Sequence, residues 1–306
     1  MANVHGSLIN NNQPQAPART TVKGLMCQVD VKKRFEDILG KKAPGFISSV
    51  INVAKSPSLA DAEPNSIMAS AVVAATLDLP IDPNLGFAYI VPYNDKKQGK
   101  IAQFQMGYKG FIQLAMRSGQ YKTINAAPVF ENDLKKINRL TGEIEFNDNP
   151  EPSTKIVGYV GYFRLINGFE KALYMTREEL EIHGKKYSQS YKSNKDWVVK
   201  QSLWTTDFDS MATKTVLKLL LSKYGPMSIE MQTAIKSDQA SFNKDVINGD
   251  IDGNINYPDN QPNEHYNAVD TEFTEVDKQN IENNKSSDKA ESEEKDIFEG
   301  TPFADE

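Results

Sequence analysis

The order in which hydrophobic periods occur along the chain is the feature that most constrains its fold. Apolar residues recur with helical spacing in residues 30–40, 45–55 and 65–78, and later they fall into short alternating runs. Helical spacing predicts amphipathic helices, and alternation predicts half-buried strands. Because the strands follow the helices rather than alternating with them, the pattern predicts an α+β fold. We expect a helical N-terminal lobe at 23–80 and an antiparallel sheet-and-helix core at 81–235, which together form one functional core.

The strand signals predict two hairpins. One joins GFAYIVPY (86–93) to KIAQFQMG (100–107) through a polar loop, and the other joins 155–166 to 169–176 through Asn167 and Gly168. Asn-Gly between alternating runs is a strong signal for a tight hairpin turn. Further strands are predicted at 122–131 and 143–146, further helices at 107–119, after Thr176 and at 206–224, and a lysine-rich loop at 185–200.

The two ends of the chain have a different composition. Half of residues 1–22 are Asn, Gln, Pro or Ala, and residues 236–306 lose all periodicity while carrying 19 acidic and 6 basic side chains. Segments of this kind bury too little apolar surface to offset the entropy of ordering, so we expect a disordered arm and a disordered acidic tail. Residues 296–306 regain apolar side chains within the acid, which is typical either of a docking peptide or of an inert solubilising tail.

Charge and motif content exclude several function classes. The acidic tail leaves residues 1–235 with 29 basic and 22 acidic side chains, a balance that suits a polyanionic partner. A single cysteine, Cys27, excludes an internal disulfide and a cysteine-based zinc site. No phosphate-binding glycine loop and no dinucleotide fingerprint occur, so we expect no cofactor. No apolar run has membrane-spanning length and no secretory signal is visible, so we expect a soluble cytoplasmic protein without a membrane partner.

Aromatic and basic side chains alternate in three parts of the chain, which predicts a surface that stacks bases and contacts phosphates. The first part is 78–124, and the second is the lysine-rich run that includes Lys185, Lys186 and Lys200 with tyrosines and tryptophans between them. In the third, Lys214 and Lys218 are four residues apart on the last helix and project together. Each segment alone is also typical of a solvated flank, and the three together favour nucleic-acid binding.

Two pairs of carboxylates raise the alternative of a metal-dependent nuclease. Asp207 and Asp209 form a D-x-D pattern, and Asp78 and Asp82 are four residues apart. Asp207 and Asp209 also fall in the first turn of the predicted last helix, where carboxylates complement the helix dipole. Asp82 precedes a proline in a predicted turn, where Asp is favoured. We therefore expect no metal site and no enzymatic activity.

Two strings carry a family resemblance. QMGYKGFIQLA (105–115), with LDLPIDPNLGFAYIVPY before it and GQY after it, resembles the RecT family of phage recombinases, and DSMATKTVLK (209–218) resembles that family's second signature. KKRFEDILGKKAPGFISSVINV is similar to the family's N-terminal region, so the resemblance covers 23–235. It implies ATP-independent annealing of complementary single-stranded DNA in phage homologous recombination inside a bacterial host. It also implies a ring or filament homo-oligomer with a continuous basic groove, beside a phage exonuclease and host single-strand-binding protein.

Carried over by position, the family motifs imply a set of DNA-binding residues. The set is Gln105, Tyr108, Lys109, Arg117, Tyr121, Lys122, Lys214 and Lys218, to which the lysine-rich run adds Lys185, Lys186 and Lys200. The family often has Arg where Lys218 stands, and a lysine cannot bind phosphate through a bidentate fork. Gly107 and Gly110 are interpreted as backbone requirements of a strand-to-helix turn. Two other functions stay open: a protective single-strand-binding protein that does not anneal, and the metal-dependent nuclease.

Overall fold

The computed structural model describes residues 20–95, 98–138, 140–242 and 255–257, all of them within one compact unit, Met1–Gln261. Nearly all of the expected N-terminal arm, most of the expected acidic tail and the whole of 296–306 lie outside the described residues. Within the described part, no helix combines the length and the apolar character needed to cross a bilayer.

The described chain combines ten α-helices with nine antiparallel strands, so the α+β prediction is confirmed. The helices are α1 (Val22–Met26), α2 (Val29–Leu39), α3 (Ala43–Ala54), α4 (Pro64–Thr76), α5 (Tyr108–Arg117), α6 (Arg177–Tyr187), α7 (Asp196–Gln201), α8 (Leu203–Thr206), α9 (Phe208–Tyr224) and α10 (Ile229–Ser237). The strands are β1 (Ala88–Asp95), β2 (Gly99–Met106), β3 (Tyr121–Phe130), β4 (Leu134–Asn138), β5 (Glu143–Phe146), β6 (Ile156–Leu165), β7 (Glu170–Thr176), β8 (Ser241–Phe242) and β9 (Ile255–Asn256).

Helix α4 is the centre of the N-terminal lobe. Residues 66–75 are all buried, so this helix has no solvent face and must be surrounded by other elements. Helices α1, α2 and α3 contact it from one side and the β1–β2 hairpin from another. The helix begins at Pro64 after the capping carboxylate of Glu63, and the Ser66 hydroxyl accepts a 2.7 Å hydrogen bond from the amide of Ala102 in β2. That bond ties the hairpin to the lobe.

The β1–β2 hairpin has one face in the core and another that carries polar and aromatic side chains. Ile90 pairs with Phe104 in the register, and both are buried. Tyr89 pairs with Gln105 one position along, so these two side chains lie on the opposite face. The sequence-predicted hairpin is confirmed, and it presents Gln105 away from the core.

Helix α9 joins two parts of the core. It packs on the three-stranded sheet of order β3-β6-β7, where a Cβ on Gly161 would lie only 3.2 Å from Val216 and Leu220. Leu217 and Leu221 belong to the main core, whereas Ala212 and Val216 belong to a second cluster built around Trp204. Because the helix is covered on several sides, its buried residues are not confined to a single stripe.

Several short elements differ from the sequence prediction. Strand β4 and helices α8 and α10 were not expected, and α7 occupies part of the segment predicted as a lysine-rich loop, 185–200. The expected tail boundary at residue 236 falls inside the folded part, because Asp238, Ala240 and Phe242 are buried. These elements are shorter than the windows over which hydrophobic periodicity is read, so local patterns do not identify them.

Candidate nucleic-acid interface

A cleft of about 520 Å³ opens between the β1–β2 hairpin and the α6–α8 segment. One wall includes Tyr93, Gln103 and Gln105 from the hairpin. The other wall includes Lys195, Trp197 and Trp204. Because one wall is rigid sheet and the other carries indole rings and a cation, the cleft combines stacking surfaces with charge, as single-strand-binding grooves do.

The two tryptophans of the cleft have different environments. Trp204 is buried and packs on the backbone of α6, where a Cβ on Gly184 would lie 2.7 Å from the indole. Trp197 is 62% exposed, so most of its ring surface is accessible to a partner. Trp204 therefore fixes the wall, and Trp197 presents a planar surface on it that a base can cover.

A second cavity of about 200 Å³ adjoins the cleft. Trp204, Met211 and Gln239 line both spaces, so the two cavities are neighbours on either side of these residues. The second cavity is further lined by His183 and Tyr187 from α6, by Lys214 and Lys218 from α9, and by Asp238. Lys214 and Lys218 thus lie beside the cleft that contains Gln105.

Lys214, Lys218 and Asp238 form a buried ion cluster. The Nζ atom of Lys214 lies 2.8 Å from Oδ1 of Asp238 and that of Lys218 lies 2.7 Å from Oδ2, and the amide of Met106 donates to Oδ1 at 2.9 Å. The exposed fractions of the three side chains are 7% for Lys214, 27% for Lys218 and 1% for Asp238. Burial lowers the pKa of Lys214, an effect that the carboxylate of Asp238 partly offsets. The cluster keeps one net positive charge, and Lys218 is its most exposed member.

The sequence analysis did not identify Asp238 as part of the site. The segment after α10 reaches the site by pairing with the edge of β2. The amide of Gln239 donates to the Phe104 carbonyl at 2.9 Å, and the amide of Phe104 donates to the Ala240 carbonyl at 3.0 Å. Asp238 is one of 19 acidic residues after position 235, so composition alone gives no signal that would single it out.

The N-terminus of α5 places Tyr108 and Lys109 at the base of the same hairpin. Gly107 is the N-cap, no side chain caps this helix, and its first turn contains no acidic residue. Lys109 is exposed in that turn. A cation at a helix N-terminus is unfavourable for the helix dipole, whereas the unpaired amide groups there attract an anion. Burial, then Asp207 and Tyr108, raise the pKa of Tyr89, which places these three side chains close together.

Two predicted DNA-binding residues have roles in the fold. Arg117 donates to the carbonyl oxygens of Leu77 and Asp78 at 2.7 and 2.6 Å, and so binds the C-terminal end of α4. The Tyr121 ring packs edge-on against Phe163 with centroids 5.5 Å apart, and burial raises the pKa of Tyr121 to about 12. Neither side chain lines the two cavities, and their contact with DNA stays a prediction.

The remaining predicted cations are all exposed. Lys185 and Lys186 lie in the last turn of α6, where they complement the helix dipole, and the Nζ of Lys186 lies 5.1 Å from the centroid of the Tyr187 ring. Lys122 is on β3 and Lys200 is on α7. Of these four lysines, Lys186 has an electrostatic effect on the smaller cavity, because its positive charge lowers the pKa of His183.

The two carboxylates of the nuclease alternative have structural partners. Asp207 is the N-cap of α9 and accepts a hydrogen bond from the amide of Ser210 at 3.3 Å. Asp209 accepts a hydrogen bond from the hydroxyl of Tyr159. In the described part of the chain, no group of three His, Cys, Asp or Glu residues has the arrangement of a metal site.

Comparison with known proteins identifies the family. The sequence model of the RecT family matches residues 44–252, which is more than half of the chain. The chain belongs to the RecT family. The recognition of this family from two short strings is therefore confirmed.

Two relatives match most of the chain. The uncharacterized protein YqaK of Bacillus subtilis (strain 168) is 47% identical over 239 residues, which is 78% of this chain and 79% of the relative. Protein RecT of Escherichia coli (strain K12) is 31% identical over 243 residues, 75% of this chain and 84% of the relative.

The RecT family match contains both cavities. It begins in α3 and extends past the expected boundary at 235 to include Asp238 and strand β8. The extension agrees with the structure, in which this segment pairs with β2 and completes the ion cluster. The family match therefore covers the folded core together with the segment after α10 that pairs with β2.

Proposed function

We propose that this protein anneals complementary single-stranded DNA without ATP, as a homo-oligomer whose subunits align their clefts into one groove. Membership of the RecT family supports a single-strand annealing role in recombination. The observation that carries the proposal is the adjacency of the two cavities, which share three lining residues and place the exposed indole of Trp197 and the partly exposed ammonium of Lys218 on neighbouring walls. A strand in this groove has a stacking surface for bases and a cation for its backbone.

Annealing requires positioning rather than covalent chemistry. Contacts to phosphates from Lys109 and Lys218 hold the backbone without reading the sequence. The planar ring of Trp197 stacks on a base of any identity, because every base has a π face. When a second strand matches, base stacking in the new duplex contributes about 1.4 kcal/mol per base-pair step, so pairing supplies the driving force. The groove accelerates this step by keeping the first strand extended.

The cellular setting follows from the same proposal. We place the protein in the cytoplasm of a bacterial host during phage recombination, where an exonuclease exposes the strands and host single-strand-binding protein covers them. Residues 296–306, with apolar side chains set in acidic sequence, suit docking to such a partner. The functional unit is the complex of the oligomer with single-stranded DNA and with the annealed duplex.

An annealing assay without ATP tests the proposal. We expect the wild type to accelerate pairing of two labelled complementary oligonucleotides, and the Lys109→Ala/Lys218→Ala variant to be slower by about tenfold, since two phosphate contacts are lost. The matched control is Lys33→Ala/Lys135→Ala, which removes two exposed lysines from α2 and β4. A noncomplementary pair of oligonucleotides controls for aggregation.

The same assay separates the alternatives. Tight binding of single strands without faster pairing would make the protein a protective coat rather than an annealing protein. Cleavage that needs magnesium and disappears in Asp209→Ala would establish the nuclease instead.

The salt dependence of binding tests the proposed phosphate contact of Lys109 separately from that of Lys218. Each phosphate contact to a single strand contributes about −0.7 to the slope of log K against log salt concentration. We expect Lys109→Ala to make the slope less negative by about that amount, and Lys135→Ala to leave it unchanged. Measuring fluorescence anisotropy of a labelled oligonucleotide at four salt concentrations gives both slopes. Equal slopes for wild type and Lys109→Ala would remove Lys109 from the phosphate contacts.

A further inference from the structure

His183 lies on the wall of the 200 Å³ cavity, and the functional assignments above do not use it. It is the single histidine among the described residues, because His5 and His265 lie outside them. Its half-buried ring packs 4.6 Å from the ring of Tyr187 and 6.4 Å from that of Trp204, measured between centroids. Aromatic packing on two sides fixes the imidazole at the edge of the cavity.

Each element packed around His183 carries charged or titratable groups, of which Lys218 and Lys186 act on its pKa. Helix α6 contributes Lys186 and the neutral Tyr187, helix α9 contributes Lys214 and Lys218, and the segment after α10 contributes Asp238. Three ammonium groups and one carboxylate leave two net positive charges around the ring. Both oxygens of Asp238 are already bound by the two lysines of α9.

This environment disfavours the charged form of the imidazole in the free protein. Burial lowers the pKa of His183, and the positive charges of Lys218 and Lys186 lower it further. A phosphate in the cavity would reverse the electrostatic part of this effect. Asp238 accepts one of the three N–H donors of the Lys218 ammonium, which leaves two directed elsewhere.

We propose that His183 and Lys218 form a phosphate-binding subsite for the backbone of the bound strand, and that His183 takes up one proton when the phosphate binds. The inference rests on the proposed function and adds a residue and a proton to it. The cavity has the volume of about six liquid water molecules, which is room for a phosphate group. An imidazolium donates from both ring nitrogens, whereas the neutral ring donates from one.

The sign of the pH dependence follows from linkage. The free protein protonates His183 below its usual range, and the complex protonates it at a higher pH because the phosphate stabilises the cation. Between these two pKa values the complex holds one more proton than the free protein, so affinity rises as pH falls through that window. Outside the window, this group adds no pH dependence to the affinity.

Proton uptake on binding tests the inference. A thymidine oligonucleotide is titrated into the full chain by calorimetry at pH 6.5, in two buffers with different heats of ionisation, and affinity is followed from pH 5.5 to 8. Thymine has no group that titrates in this range. We expect the wild type to take up protons as the sites are occupied, with an upper limit of one proton for each site. His183→Gln should abolish the uptake and weaken binding at pH 6 by about tenfold while changing affinity at pH 8 by less than about twofold. The matched control is His5→Gln/His265→Gln, which should behave as the wild type.

Two outcomes would overturn the inference and leave the proposed function standing: binding without proton uptake in the wild type, or uptake that persists in His183→Gln. Failure of the wild type to bind the oligonucleotide at any pH would remove both. Lys218→Gln provides a second variant if His183→Gln does not fold. It should reduce both affinity and proton uptake, because it removes a phosphate contact and a charge that keeps the free imidazole neutral, and unchanged uptake would contradict the subsite.

Discussion

Replacing Asp238 with alanine is expected to destabilise the protein by about 3–5 kcal/mol, the usual cost of removing one partner of a buried ion pair. The Lys214 ammonium would stay buried without the carboxylate 2.8 Å away, and the amide of Met106 would lose its acceptor. Urea unfolding measures the difference. The matched control is Glu131→Ala, which breaks an exposed pair with Lys155 at a similar distance of 2.7 Å and should cost far less, because solvent screens an exposed pair.

Acid unfolding gives the same prediction a second readout. Burial alone would raise the pKa of Asp238, but attraction to Lys214 and Lys218 outweighs burial and holds the pKa at about 2, below the usual 3.8. A lowered folded pKa means that this stabilisation is complete above pH 3.8 and is lost as the pH falls toward 2. The stability difference between wild type and Asp238→Asn should therefore shrink over that window. Equal differences at pH 5 and pH 2.5 would contradict the cluster.

Local sequence signals identified the parts of the fold that depend on local physics. The helix that follows Thr176 begins with a complete capping box, in which the amide of Glu179 donates to the threonine hydroxyl and the Glu179 carboxylate accepts from the amide of Thr176. The hairpin turn at Asn167 and Gly168 is also predicted from a local signal, because Asn-Gly favours the positive φ that a tight turn requires. In the structure Gly168 has a φ of 91°. Both signals act over four residues or fewer.

The parts that sequence could not predict depend on distant contacts. Asp238 contacts Lys214 across 24 residues and Met106 across 132, so no spacing in its own segment marks it. Arg117 stands in a basic and aromatic segment, and only the end of α4 explains why its guanidinium binds two carbonyl oxygens. Residue type therefore indicated which side chains carry charge, while the tertiary structure decided which of them reach the cleft.

Gly107→Ala is expected to destabilise the protein by about 3 kcal/mol, at the upper end of the cost of overpacking. The backbone torsion is not the reason, because φ is −88° at this residue and any amino acid adopts that value. A Cβ would lie 2.0 Å from the carbonyl oxygen of Gly86, and the amide of Gly107 donates to the carbonyl of Phe87 at 2.9 Å. The carbonyl carbon of Gly86 would also lie only 2.8 Å from the Cβ, and these two backbone atoms cannot rotate aside as a flexible side chain does.

Gly107→Ala should also weaken DNA binding, because Tyr108 and Lys109 directly follow the glycine and take their positions from it. Separating the strand end from α5 would move Lys109 away from Gly86, beside which its aliphatic carbons now lie. The matched control is Gly45→Ala in α3, where a Cβ meets no atom within 4 Å and alanine favours the helix by up to about 1 kcal/mol. Chemical denaturation and oligonucleotide anisotropy on both variants test the expectation at a temperature where each is folded. If Gly107→Ala matched the wild type in both assays, the close backbone contact would not position the N-terminus of α5.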